Sequence, residues 1–384
     1  MQSVFGQAVQ HKNPFSFWDK KYIRFLVGLT TLVSMWINVA TQVTALGRVF
    51  SLLTGFGYKE MAVIGMLVVV IYTMIGGMRA TVITNIVQGI LLTIACIAVP
   101  FSLVSYAGGM SGIESAVVAN DGVEFADKFF SYMGGPTATG IIILMWWVNK
   151  GFTRWGSIKT FQAINSAKSV RAGVLGLALG QLGSVILCLF LLAPGIVFRA
   201  ISGPGQAAAD AENSYFMLTL KVFLGQPLVA AFLVIAVFGA IMSTASTHLI
   251  SVGMSGVKDV YLKFINPNAS ADFQTKLGMW LTGLFGVISL ILALFIPSVL
   301  KLFVLAGVVV VPITVPIMIA MFASKRASWF SPNTIGASLI VSFIIGFVFE
   351  AKVPVISAIP KIAGVPWRGY PSSIFLDVGL LFYL

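Results

Sequence analysis

Ala240, Ser243 and Thr244 stand at i, i+3 and i+4 in an apolar run. On a helix that spacing puts one backbone carbonyl and two hydroxyls on a single face. Oxygens of this kind suit a hard cation such as sodium, which in an apolar surrounding takes its ligands from hydroxyls and unpaired carbonyls. A plainer reading stays open, because Ser and Thr in apolar helices also bond the carbonyl at i−4 and do nothing further. A second constellation lies in MWWVNKGFTRWGSIKTFQ, where Asn149, Lys150, Arg154 and Trp155 crowd into an otherwise apolar stretch. Lys150 and Arg154 are i, i+4 and share a face. Facing a cavity, they would favour a solute bearing a carboxylate, which Arg grips with two parallel hydrogen bonds. The competing reading is an interfacial segment, with both cations snorkelling and the tryptophans forming a belt.

Other polar positions carry less. Asn38, Gln42, Gln88 and Gln181 suit hydrogen bonds between helices, and His248 suits packing one turn beyond Thr244. The sequence shows no Ser-His-Asp set, paired carboxylates, phosphate loop or Cys/His cluster, so enzyme chemistry has no visible carrier and no cofactor is implied. Cys96 and Cys188 lie in apolar runs without metal-ligand spacing.

The elements that must position these residues follow from composition. Of 384 residues, 58% are hydrophobic and 9% charged, far below the ~25% charged that covers a soluble domain. A soluble enzyme and a disordered regulator are both excluded. The apolar residues fall in runs long enough for helices to cross a ~30 Å hydrocarbon core, without the alternation of barrel strands. The fold class is all-α, a polytopic helical membrane protein lying in the lipid bilayer. Ten spans are expected, near 22–48, 60–79, 81–106, 138–160, 172–198, 226–252, 277–297, 300–323, 333–350 and 372–384. A short segment at 213–224 precedes the sixth and suits the interface. The last is too short to cross comfortably and looks cut off.

A net charge of +12 is compatible with a nucleic-acid partner. Assigning the loops alternately to two sides gives a better account. One side, with the N-terminus, collects thirteen Lys and Arg against three acids; the other has nine against eight. The positive-inside rule makes the first side cytoplasmic, which explains the basic excess without nucleic acid. No cleavable leader is legible in residues 1–20.

Two longer strings carry a resemblance. In IYTMIGGMRATVITNIVQG, the positions Tyr72, Gly76, Gly77, Ala80, Thr84 and Gln88 match, and Asn85 stands where an Asp is usual. In FGAIMSTASTHLISVGMSGVKDVY, Ala240, Ser243, Thr244, Ser246, Leu249, Asp259 and Tyr261 match. With weaker agreement in the first span, in SAKSVRAG and at Pro194–Gly195, the chain resembles the sodium/solute symporter family over most of residues 20–350.

The resemblance implies a LeuT-like core of ten helices in two inverted repeats, forming a single transmembrane domain over 1–384. The first span here then corresponds to the third core helix and the sixth to the eighth, so the chain reads as a fragment without the first two core helices. It also implies sodium-coupled symport of a small polar solute across the cytoplasmic membrane by alternating access, with the N-terminus of this chain inside. Ala240, Ser243 and Thr244 coincide with the family's sodium ligands on the eighth core helix. The 149–155 stretch falls on the broken sixth core helix, which contacts substrate and hosts an aromatic gate, although Gln162-Ala163 stands where Gln-Arg is usual. Asn85 in place of Asp removes a charge associated with a second sodium site or the ion's exit route, so at most one sodium per cycle is expected. A symporter-like membrane sensor at the front of a signalling protein is the alternative. Neither the solute nor the oligomeric state is legible.

Overall fold

The computed structural model describes residues 21–130, 167–209 and 227–299 without a break, and scattered positions within 220–223 and 301–344. Helix α1 covers Lys21–Thr54. Residues 58–106 are helical in sequence order, but Gly77 sits at φ 56 and ψ −160. That left-handed region is open to glycine at little steric cost, and it divides the stretch into α2 (Tyr58–Gly77) and α3 (Thr81–Tyr106). Two short helices follow, α4 (Gly109–Asp121) and α5 (Val123–Phe129). Helix α6 (Val170–Ala209) has a second left-handed glycine, Gly203, near its end. Helix α7 (Pro227–Ser255) runs into a π-turn (Gly256–Tyr261) and the short α8 (Leu262–Phe264). Helix α9 (Ala271–Phe295) is capped by Ser270, whose hydroxyl accepts from the Phe273 N–H.

The break at Gly77 is a reversal, not a bend. Tyr72 bonds Met242, Asn85 bonds Thr247, and Gln88 lies against Gly239. A straight helix would set Tyr72 and Gln88 about 24 Å apart, yet their partners Met242 and Gly239 are only about 4.5 Å apart along α7. The chain therefore folds back on itself, and both arms of the hairpin rest on α7.

Packing is inside-out relative to a soluble protein. Along α3, Ile83, Ile86, Ile90, Ile94 and Phe101 are exposed at spacings of three, four and seven, while Ala95, Val99 and Leu103 are buried. With no surrounding lipid-averse force to sort apolar residues, membrane helices approach through small residues. A Cβ on Gly253 would sit 2.6 Å from Thr282 Oγ1 and 2.8 Å from the Gly278 carbonyl, so α7 and α9 cross there nearly backbone to backbone. Two large apolar clusters result among the described residues, beside a small one of Leu32, Met35 and Val252. One joins α1, α2, α7 and α9 through residues such as Val43, Met66, Leu249 and Ala293. The other joins α3 to α7 through Leu103, Ile113, Val117, Val197 and Leu233. Helix α7 belongs to both.

Six segments among the described residues are long and apolar enough to cross a membrane: Gly28–Thr54, Tyr58–Gly77, Thr81–Tyr106, Arg171–Gly203, Leu228–Phe264 and Ala271–Phe295. They correspond to the expected first, second, third, fifth, sixth and seventh spans. Three differences stand out. Helix α1 runs to Thr54 rather than 48. The sixth span continues past 252, because the backbone stays helical through the charged Lys258 and Asp259. The 107–137 connection, read as a loop, begins with α4 and α5. The spans expected at 138–160, 300–323, 333–350 and 372–384, and most of the 213–224 segment, lie outside the continuously described residues.

Candidate functional site

On α7 the hydroxyls make the back-bonds to the helix carbonyls that the plainer reading describes. Ser243 Oγ donates to the Ala240 carbonyl at 2.9 Å, and Thr244 Oγ1 donates to the same carbonyl at 3.0 Å. One turn further on, Ser246 Oγ and Thr247 Oγ1 both donate to the Ser243 carbonyl, at 3.2 and 2.7 Å. Two carbonyls thus carry four hydroxyls. Each hydroxyl could turn a lone pair outward while its proton stays on the helix. Ser243 and Thr244 are half-buried and Ser246 is buried, so the cluster is screened from lipid but not sealed.

The hairpin holds this ladder from one side. Tyr72 Oη donates to the Met242 carbonyl at 2.8 Å, fixing α2 to α7 one residue before Ser243. Asn85 Nδ2 donates to Thr247 Oγ1 at 3.3 Å from α3. The Asn85 Oδ1 and Gln88 Oε1 oxygens on the same side of α3 are buried with no hydrogen-bond partner among the described residues. An aspartate at 85 would bring a negative charge to this spot; the amide brings only a donor and an orphan acceptor. Tyr72 and Thr247 were not singled out from sequence as parts of the site. For Thr247 the signal was present, since it lies i+4 from Ser243 on the same face. For Tyr72 it was absent, because its partner is 170 residues away.

Of the amides expected to join helices, Asn38 instead donates to Ser34 O at 2.9 Å within its own helix. Cys96 is buried in the helical packing. Asn149, Lys150, Arg154 and Trp155 lie outside the described residues, and so does everything expected of the broken helix around them.

A second polar constellation went unread in the sequence. Arg199 Nη2 meets Asp121 Oδ1 at 2.9 Å, with side-chain exposures of 19% and 7%. The guanidinium also stands 5.1 Å from the centre of the Phe125 ring, and Asn120 Nδ2 donates to the Ala200 carbonyl at 2.8 Å. These contacts pin α4 and α5 against the far end of α6. Both charges were assigned to loops, which hid the pair.

A hairpin and a kinked two-cluster helical bundle built around one hydroxyl-rich helix describe a multi-pass membrane protein of LeuT-like architecture. A solved structure, titled "Substrate-bound outward-open state of a Na+-coupled sialic acid symporter reveals a novel Na+-site", superposes with a TM-score of 0.61 over 91% of this chain and 78% of that one, at 17% identity. The chain belongs to the sodium:solute symporter family, whose profile matches residues 15–330. Among curated relatives, the high-affinity proline transporter PutP of Bacillus subtilis (strain 168) is 29% identical over 277 residues, covering 71% of this chain and 56% of the relative. The sodium/proline symporter of Salmonella typhimurium is 28% identical over 284 residues, covering 72% and 54%. The chain spans about half the length of the curated relatives it matches.

Proposed function

We propose that this chain is part of a sodium-coupled symporter. It would move a small polar solute across the cytoplasmic membrane by alternating access, with the N-terminal end of the chain on the cytoplasmic side. The observation that carries the reading is the convergence of the Ala240 carbonyl with the Ser243 and Thr244 hydroxyls on one carbonyl-centred cluster. These three oxygens form part of a sodium shell. The rest of the shell would come from other elements of the full-length protein.

Family membership and the names of the relatives, several of them sodium/proline symporters, support sodium as the coupling ion. They also favour a carboxylate-bearing solute, the chemistry that Lys150 and Arg154 suit, with Asn149 and Trp155 beside them as substrate or gate residues. The orientation rests on the basic excess of the side that carries Lys258, Lys263 and Lys276.

The test is sodium-dependent uptake by the full-length protein carrying Ser243→Ala together with Thr244→Val. Both changes keep the side-chain volume and remove the hydroxyls. The sodium concentration for half-maximal uptake should rise at least tenfold; an unchanged value would place the ion elsewhere.

A further inference from the structure

A crevice of about 430 Å³ lies between the end of α2, the junction of α7 with the π-turn, and the first turns of α9, and none of Ala240, Ser243 and Thr244 lines it. That volume falls within the range of small-molecule sites, roughly 300–1,000 Å³. Its inner walls are apolar and adaptable, with Met74, Ile250, Met254 and Val257. Its polar members are Lys258, Gln274, Thr275, Thr282 and Thr73; the buried Thr73 hydroxyl has no hydrogen-bond partner among the described residues.

The electrostatics have one sign. Among the described residues, no carboxylate lines the crevice. Asp259, next to Lys258, approaches Gly28 of α1 instead, and Asp272 is paired with Lys276 at 2.8 Å. Lys258 is exposed and supplies the only formal charge of the lining among the described residues. The amino end of α9, which contributes Ala271 and Gln274, adds its partial positive charge. The π-turn carries Lys258 itself, and such turns recur at functional sites because they re-aim side chains out of the regular helical register.

The surroundings fix the kind of ligand. Ile75 on α2 is 80% exposed and Trp280 on α9 is 73% exposed. In a bilayer both face acyl chains. The crevice thus has a cationic, hydrogen-bonding rim at one end and an apolar interior beside hydrocarbon. An ion free in water would find the rim but would leave the methionine-lined interior empty. A molecule with an anionic head and an apolar tail fills both.

We propose that this crevice is a binding site for the headgroup and upper chain of an anionic phospholipid of the cytoplasmic leaflet. The phosphate lies against Lys258 and the start of α9, where Gln274 Nε2 keeps one N–H for its oxygens besides the one it gives the Ala269 carbonyl at 2.8 Å, and the chain lies against Met74, Met254 and Val257. Bound there, one lipid touches α2, α7 and α9 together, which are the hairpin arm and the two helices that cross at Gly253. The inference rests on the orientation proposed above and not on sodium coupling.

Native mass spectrometry of the full-length protein in detergent, titrated with dioleoyl phosphatidylglycerol or dioleoyl phosphatidylcholine, tests it. The wild type should retain phosphatidylglycerol with about a fivefold preference, the worth of one juxtamembrane lysine against an anionic lipid. Lys258→Gln should bring the two lipids to near parity. Thr275→Trp, at an exposed position on the crevice wall, should reduce retention of both by filling the space. Equal retention of both lipids by the wild type would overturn the proposal, as would a preference that survives Lys258→Gln. Displacement of phosphatidylglycerol by millimolar inorganic phosphate would also overturn it, by showing a soluble-anion site. Loss of sodium-driven uptake with the lipid preference intact would count against the symport reading alone.

Discussion

Replacing Tyr72 with Phe removes one oxygen and leaves the ring in place. That oxygen donates to the Met242 carbonyl at 2.8 Å and joins α2 to α7 immediately before Ser243. Because Phe fills the same volume, no cavity term enters, whereas Tyr72→Ala would add ~3–5 kcal/mol of lost packing and obscure the result. Hydrogen bonds between membrane helices average ~0.6 kcal/mol, with a ceiling near ~1.7 kcal/mol. Those energies correspond to about threefold and about twentyfold in an equilibrium constant. If the bond sets the register of the Ser243 and Thr244 hydroxyls, its whole value appears in sodium affinity. The half-saturating sodium concentration for uptake into proteoliposomes should then rise about threefold, with the solute KM at saturating sodium unchanged. A sodium titration that overlays the wild type would refute the argument. So would an effect confined to the solute KM, which would place Tyr72 on the solute pathway.

Three further outcomes are expected. Paired fluxes of sodium and solute should give one sodium per solute, since Asn85 brings no charge to offset a second ion beside Thr247; a ratio of two would defeat this. Asp121→Asn should lower stability by ~3–5 kcal/mol, visible as a lower thermal unfolding midpoint, because it leaves the Arg199 guanidinium mostly buried without its counter-charge. An Asp at the carboxyl end of α4 is disfavoured by the helix dipole, so its place there owes to Arg199, and an unchanged midpoint would show the pair contributes nothing. Arg154→Gln should weaken uptake of an anionic solute at least tenfold while protein levels hold; unchanged affinity would return Lys150 and Arg154 to an interfacial role.

What could be read in advance divides along physical lines. Helix α3 was legible to the residue, 81–106, because a long apolar run bounded by Gly-Gly-x-Arg and by Gly108–Gly109 leaves little choice. The continuation of α7 was not. Lys258 and Asp259 look like a loop, yet helical backbone persists at the interface, where charged side chains reach water. Helices α4 and α5 were missed because GMSGIESAVVAND is short and rich in small residues, and it is helical only by packing Ile113 and Val117 against α6 and α3. In the site, the spacing of Ala240, Ser243 and Thr244 is local, so sequence alone could show it. The Tyr72 and Asn85 contacts depend on the reversal at Gly77, and a pair of glycines does not announce which partner each arm will find.

The π-turn from Gly256 to Tyr261 has a consequence for how this chain tolerates changes of length. It holds one residue more than an α-helical path would over the same rise. Losing any single residue there would let the backbone close as ordinary α-helix with every carbonyl still bonded, so the deletion would be mild for the helix itself. Nor would the elements beyond it be displaced, because a turn of the same rise with one residue fewer completes the same rotation. The ring of residue 261, now 5.4 Å from that of Phe273, would keep its neighbour, and α9 would keep the direction that brings Gly278 against Gly253. The extra residue is thus slack taken up by the wide turn, whereas gaining or losing a residue in the regular part of α7 would turn everything after it by about 100°.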